Sequence, residues 1–530
     1  GEAARKEWDT IALAQCIVQV DSEYARGQIR ARGAQVMYLF PVYEKKLKEG
    51  KIVYKVRLVG DGRQHKPSSE TYSATPSREE FLILIHLIAA LDWDFCHTDV
   101  IRAFLTAERE DQSLLFARLR GSPDYWKIVK SLYGLRSSSH DFQSLMVKRL
   151  TAQGFTRLTM CTCMFVKRID NEVIIVLSYV DDFIFTGSNR ELTLIEVTAF
   201  TASTSCTAPI WDPEHVLGMD LHRIREKRII CISMCKQISK LRKFFDKEPR
   251  AVTVPIPTKD FIMREEDMEA KSEQDKRVLS QEERLKYMAM VGALVWISGI
   301  RMELHFSVLY LTWNTMTPRN HHLKMAYHVM AYLLNSSELP LILGGSTDIG
   351  IHGYTDSSLG TGPKGRSVIG NCIRLHPLSG CVHAMSGSTH TTVTSIFEGE
   401  LEGTAKIIQG VNRTHNIMDE LYQELSTLKA YGDNLAVIEF VLGRGVAKGV
   451  RHMALRMWYI REQYAMGRVT LDHVPGAGLV ADKLTKLADR VQHNMFTIDL
   501  LGLGLIGISE IFDIAPHVAT FKDICNNIQM

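Results

Sequence analysis

Two adjacent carboxylates, Asp181 and Asp182, sit inside the apolar stretch Ile174–Gly187, IIVLSYVDDFIFTG. A β-branched and aliphatic run leads into Tyr179-Val180-Asp181-Asp182, and a second apolar run follows, closed by Thr186-Gly187. This is the pattern of a β-hairpin with its acids at the tip. Held between buried strands, neighbouring Asp side chains repel each other and lose hydration, so the site calls for a cation. A divalent metal is the simplest one. The plain alternative is an ordinary turn, where Asp is common. A tight hairpin, however, favours Asn-Gly or Asp-Gly, and no Gly stands at this tip.

The elements around the hairpin must position these acids. A strand over Ile52–Val59 puts Lys55 and Arg57 on one face by its period of two, either as solvated cations or as partners for an anion. Residues 78–91 read as a helix, and the strand Asp94–Val100 that follows carries Asp99. Further expectations are a helix around Glu7–Asp21, a strand at Val36–Tyr43, a helix near Arg190–Ala199 and a strand through His215–Leu221. Cys235–Phe245 has a helical period with Lys236, Lys240, Arg242 and Lys243 on it. The charged stretch Ile256–Arg284 reads as a flexible or surface connection, and Tyr287–Leu334 as helices.

The chain has 530 residues, 45% of them hydrophobic, enough for about two to four domains. Its formal charge of +3 gives no global basic field, so any affinity for nucleic acid must come from local patches. The ten Cys show no zinc-finger spacing and read as reduced, mostly buried thiols of an intracellular protein. No run reaches a membrane span, no signal peptide is read, and Gly1–Lys6 looks like a cut within a larger polyprotein.

Tyr-Val-Asp-Asp in this apolar frame resembles the polymerase motif of reverse transcriptases, in the form usual for copia-type (Pseudoviridae) LTR retrotransposon Pol polyproteins. The resemblance implies that Asp99, in His97-Thr98-Asp99-Val100-Ile101-Arg102-Ala103-Phe104, is the third metal-binding acid beside Asp181 and Asp182. Two Mg²⁺ ions per active site are implied, with Mn²⁺ as a substitute. It also implies nucleotide contacts for Lys55, Arg57 and Tyr179, and a sugar gate at Phe104 that disfavours a 2′-hydroxyl, where the plain alternative is a core aromatic. Lys130–Arg136 is similar to a Ser-Leu-Tyr-Gly-Leu-Lys segment that contacts template and nucleotide. There Gly134 serves either close backbone approach to a base or a turn. The chain departs from the family at Ser137–His140, where Gln-Ala-Pro-Arg is usual, and at Arg301–Leu304, where a Pro and an Asp are absent.

From Gly353 onward, short β segments and a helix carry Asp356, Glu400, Asp433 and Asp482, each a surface acid by default. Together, in this order, they resemble the Asp-Glu-Asp-Asp set of ribonuclease H, which implies a second two-ion centre. Glu398 and Glu402 flank Glu400, and Glu400 best fits the family frame. Gly399 and Gly403 depart from that frame and should each weaken a helix by about 0.5–1 kcal/mol.

The expected fold is an α+β right-hand polymerase of fingers, palm and thumb, then a helical connection and an α/β ribonuclease H-like domain. The expected boundaries are 1–225 for fingers and palm, 226–255 for the thumb start, 256–345 for linker and helical thumb or connection, 346–503 for ribonuclease H, and 504–530 for a tail of unknown role. The implied function is DNA synthesis on RNA and DNA templates with degradation of the RNA of a hybrid. The implied partners are an RNA template, a DNA primer, an RNA–DNA hybrid and dNTPs, with an integrase or a second copy of the chain as candidates and no membrane. The implied location is intracellular, in cytoplasmic virus-like particles and in the nucleus. The rival reading is a domesticated or decayed copy that binds nucleic acid or a ribonucleoprotein partner as a scaffold, without turnover.

Overall fold

The apolar runs on either side of Tyr179–Asp182 pair as antiparallel strands in a computed structural model that describes residues 2–48, 51–262, 268–269, 271–422, 425, 427–444 and 451–506. The chain divides into two units, one of Gly1–Pro76 with Cys96–Trp211 and one of Ser77–Phe95 with Asp212–Met530. Most of the expected tail, residues 507–530, lies outside the described residues.

The first unit is built on two sheets. One has the order β1-β6-β5-β2-β3, from Ile17–Val20, Tyr125–Ile128, Leu115–Leu119, Gln35–Lys48 and Lys51–Gly60. Beyond Leu39, β2 pairs among the described residues only with β3, so residues 40–48 and 51–59 form a two-stranded ribbon. The other sheet has the order β11-β4-β10-β9-β8-β7: Ile210–Trp211, Asp94–Asp99, Asp182–Gly187, Glu172–Tyr179, Met164–Ile169 and Thr156–Arg157. Its apolar residues Ile174, Val176, Phe183 and Phe185 meet Phe142 and Phe200 of the helices Ser138–Ala152 and Arg190–Ser203 in one core. That core fixes the register of β9 and β10, because a slip of one residue would turn the whole set outward.

The second unit holds a four-stranded antiparallel sheet, β12-β13-β14-β15, from His215–Val216, Met219–Ile224, Ile229–Ser233 and Leu341–Gly344. The buried helix Arg78–Ala90, started by a capping box between Ser77 and Glu80, packs on it. Three helices follow in chain order, Gln281–Ser298, His305–Trp313 and Asn320–Asn335. A five-stranded mixed sheet comes last, with the order β18-β17-β16-β19-β20, from His383–Ser388, Val368–Arg374, Ile351–Ser358, Leu428–Gly432 and Thr470–His473. Its first three strands are antiparallel, β19 and β20 are parallel additions, and the long helix Ile396–Leu421 lies on its face. The α+β architecture is thus the expected one.

Several local expectations are corrected. The helix expected over Glu7–Asp21 runs from Glu2 to Leu13; Gln15 turns the chain with φ 55°, and Asp21 caps a separate helix, Ser22–Arg32. His215–Leu221 is a hairpin bent at Leu217-Gly218, both at positive φ, rather than one strand. Cys235–Phe245 is a short helix to Ser239 that tightens into a 3₁₀ turn. Where Pro and Asp are absent from 301–304, a helix still starts at His305 after a 3₁₀ turn, and Arg301 pairs with Glu303 at 2.7 Å, both buried. The span Ile256–Arg284 includes 3₁₀ and helical turns at Thr258–Asp260 and Glu273–Lys276; residues 263–267 and 270 lie outside the described residues.

Candidate functional site

The register Tyr179↔Asp182 leaves Val180 and Asp181 as a two-residue hairpin loop. Val180 has φ 58°, a left-handed conformation that costs a β-branched residue about 1–2 kcal/mol. Such strain persists only where the surroundings over-determine it. Here the Val100 amide donates to the Asp181 carbonyl at 2.8 Å, which ties the tip of the hairpin to the end of β4. Asp99 at that end is held by Thr207, whose hydroxyl accepts from the Asp99 amide at 3.0 Å.

Asp99, Asp181 and Asp182 open into one cavity of about 900 Å³ with Lys55, Arg57, Phe104 and Tyr179. Burial, reinforced by Asp181 and Asp182, raises the Asp99 carboxyl above its usual range. Burial likewise raises Asp181, with Asp182 adding to it and Arg57 and Lys55 opposing it. Arg57 lies over the Tyr133 ring at 5.6 Å. Phe104 meets Tyr133 and Phe142 edge-on at 5.9 and 6.2 Å, on a 3₁₀ turn that follows left-handed Arg102. The Asp182 carboxylate is 2.7 Å from His97 Nε2.

His97 escaped the sequence reading, although period two puts it on the same face of β4 as Asp99. Glu7 and Arg102 also line the cavity, and no local signal announced them. Gly134 lies outside the cavity lining, at φ 91°, against β3. The Gly60 amide donates to the Tyr133 carbonyl at 2.7 Å. A Cβ on residue 134 would fall on the Gly60 carbonyl oxygen and within 2.8 Å of its nitrogen. The geometry shows a turn, closed by the Leu135 amide on the Leu132 carbonyl at 3.2 Å, in which chain closely approaches chain.

In the second unit, Asp356 of β16, Glu400 of the long helix and Asp433 after β19 each offer an oxygen within 4.8 Å of the others. Among the described residues this is the group of three or more His, Cys, Asp and Glu side chains that gathers so closely. Gly399 and Gly403 make it possible: a Cβ on Gly399 would fall on the Ser357 hydroxyl, and one on Gly403 would come within 2.6 Å of the Thr355 hydroxyl. They bring the helix close to β16, where the Ser357 amide donates to Glu400 at 3.0 Å. The flanking acids point elsewhere, Glu398 to the Thr394 amide at 2.6 Å and Glu402 to Lys406 at 3.1 Å.

Burial pushes the Glu400 carboxyl up to about 9, with Asp356 and Asp433 adding to it. Asp356 is pushed up to about 6, again chiefly by burial, while the Thr485 hydroxyl in contact with it opposes the rise. Asp482 lies on the 3₁₀ turn Val480–Leu484, outside the close group, paired with Lys486. Thr485 and Lys486 were not singled out from sequence; they follow the end of the turn directly, three and four residues after Asp482.

Hard oxygen donors that are buried and mutually repelling suit Mg²⁺. Asp356, Glu400 and Asp433 fit such an ion, with Asp482 beside them. Asp99, Asp181 and Asp182 share a cavity and a like-charge penalty, with Asp182 engaged by His97.

Residues 31–260 match the family described as reverse transcriptase (RNA-dependent DNA polymerase). The retrovirus-related Pol polyprotein from transposon RE2 of Arabidopsis thaliana is 23% identical over 465 residues, 84% of this chain and 30% of that polyprotein. The corresponding polyprotein from transposon TNT 1-94 of Nicotiana tabacum is 22% identical over 449 residues, 82% of this chain and 33% of its own length. The chain therefore spans about a third of the curated relatives it matches. Among solved structures, a foamy viral protease-reverse transcriptase in complex with double-stranded DNA superimposes with a TM-score of 0.52 at 11% identity, covering 89% of this chain and 69% of that one. The shared feature there is the fold. No helix among the described residues is long and apolar enough to cross a membrane.

Proposed function

We propose, for a chain that carries a reverse transcriptase domain of the copia-like Pol type, that it synthesises DNA on RNA and DNA templates and degrades the RNA strand of the resulting hybrid. The observation that carries the reading is the single cavity in which Asp99, Asp181 and Asp182 face the cations Lys55 and Arg57. Acids on one wall and cations on another suit a nucleoside triphosphate whose α-phosphate must meet a primer 3′-hydroxyl. Asp99, Asp181 and Asp182 would hold Mg²⁺ there; Asp356, Glu400, Asp433 and Asp482 would hold it at the second centre. Bound Mg²⁺ would activate the attacking oxygen and stabilise the leaving one at each.

The chain's own side chains do the rest. Lys55 and Arg57 take the charge of the triphosphate, Phe104 packs under the sugar, and Tyr179 borders the nucleotide. His97 orients the Asp182 carboxylate, and Thr485 that of Asp356. We assign residues 1–225 to fingers and palm, 226–345 to thumb and connection, and 346–503 to ribonuclease H. RNA template, DNA primer, hybrid and dNTPs are the proposed partners, with an integrase or a second copy of the chain as further ones. The proposed setting is a cytoplasmic virus-like particle, then the nucleus.

Primed poly(rA) with dNTPs and Mg²⁺ tests the polymerase reading, and an RNA–DNA hybrid tests the second centre. Asp181→Asn should abolish synthesis and leave hybrid cleavage; Asp433→Asn should do the reverse. Duplex binding without extension by the parent chain would instead favour a non-catalytic scaffold. Loss of both activities in either folded variant would refute the two-site model.

A further inference from the structure

We propose that Lys486 is a built-in counter-ion of the second acid centre, holding the position of a cation among the acids and competing with the divalent ion for them. The inference rests on the hybrid-cleavage reading above. Lys486 Nζ pairs with the Asp482 carboxylate, while about half of the Lys486 side chain (52%) remains exposed and that of Asp482 is mostly covered (17%). The ammonium is thus delivered to the acids on a stem that water can reach.

The delivery is fixed by the residue before it. Thr485 is fully buried, its hydroxyl in contact with the Asp356 carboxylate and 2.9 Å from the Asp482 carbonyl oxygen. That hydroxyl anchors the backbone beside Asp356, so Lys486 starts from the rim of the acid group. Its charge also acts on Asp356, Glu400 and Asp433 and opposes their mutual repulsion. Of the other nearby cations, Lys406 and Arg456 pair with Glu402 and His452 with Glu398, while the buried Lys483 acts on both Glu303 and Asp482.

A monovalent cation that lowers the repulsion of the empty centre must also lower its affinity for a divalent one. At a separation of roughly 6 Å and water-like screening, one unit charge against two is worth about a factor of ten in divalent-ion affinity. Lys486 would therefore keep the acid group folded and compact before metal arrives.

The test uses Mn²⁺ alone as the probe, with free Mn²⁺ counted by electron paramagnetic resonance, on the full chain carrying Asp181→Asn and Asp182→Asn to silence the first centre. Lys486→Met should bind Mn²⁺ about tenfold more tightly than this parent, and Lys486→Arg, which keeps the charge, should stay near it. Unchanged affinity in Lys486→Met overturns the inference, as does equal tightening by Met and Arg. Adding Asp433→Asn should abolish the binding. If the parent binds no Mn²⁺ that Asp433→Asn removes, the hybrid-cleavage reading falls and the inference with it.

Discussion

Gly134→Ala separates two roles that the sequence leaves open, because the structure assigns the space beside this glycine to Gly60. An alanine at φ 91° would occupy a left-handed conformation at a cost of about 1 kcal/mol. Its Cβ would also overlap the Gly60 carbonyl oxygen and approach the Gly60 nitrogen and Val59 Cγ1 to 2.8 Å. Two of these three atoms are backbone, so no rotamer change relieves the clash, and overpacking of this kind costs about 1–3 kcal/mol. The hydrogen bond from the Gly60 amide to the Tyr133 carbonyl, 2.7 Å long, would be strained as well. A total of about 3 kcal/mol corresponds, for a unit of this size, to a fall in Tm of roughly 6–12 °C. The same displacement moves β3, with Lys55 and Arg57, and Tyr133, all of which line the cavity. Calorimetry and steady-state primer extension well below Tm should therefore show a lower Tm and a higher KM for dNTP together. A raised KM with unchanged Tm would mean that Gly134 serves substrate approach instead. No change in either would remove the close approach altogether.

Two further outcomes follow from the same geometry. Phe104→Ala should raise the ratio of ribonucleotide to deoxynucleotide kcat/KM by on the order of tenfold to a hundredfold, since a pocket wall, rather than a hydrogen bond, would exclude the 2′-hydroxyl; an unchanged ratio refutes the gate. Glu400→Gln should stabilise the metal-free protein at alkaline pH. Burial, with Asp356 and Asp433, pushes this carboxyl from the usual carboxylate range up to about 9, so the folded state holds a proton that the unfolded chain releases. Stability therefore falls as pH rises through that window, by at most about 1.4 kcal/mol per pH unit for one such group. Thermal melts in chelator should show the variant's advantage over the parent growing from pH 5 to pH 8. Parallel curves would show that Glu400 is not held protonated.

The acids were legible through the resemblance of their motifs, taken together and in order, to a known family; alone, each reads as a surface acid or an ordinary turn. Their partners were not. His97 acquires its role from Asp182, 85 residues later, and Thr485 from Asp356, 129 residues earlier. Such pairs come from tertiary register, which a single sequence carries only as periodicity or spacing: two for His97 and Asp99, three and four from Asp482 for Thr485 and Lys486. Chain direction was misread where one residue turns the backbone, at Gln15 and at Leu217, because positive φ outside glycine leaves little trace in composition.

Gly399 and Gly403 show how a local argument can be sound and still point the wrong way. Their intrinsic cost to a helix, about 0.5–1 kcal/mol each, reads as decay of the motif around Glu400. The structure places them where any side chain would strike the hydroxyls of Ser357 and Thr355 on the strand that carries Asp356. Thr355 and Ser357 are held by pairing with β17, to Asn371 and Ile369, so an added side chain presses the helix away from β16. A shift of about 1 Å at the helix is enough to break the 3.0 Å bond from the Ser357 amide to Glu400 and open the acid group. The weakening of the helix is thus the condition for the carboxylates to meet, and a glycine that departs from a family frame is, at this position, part of the centre.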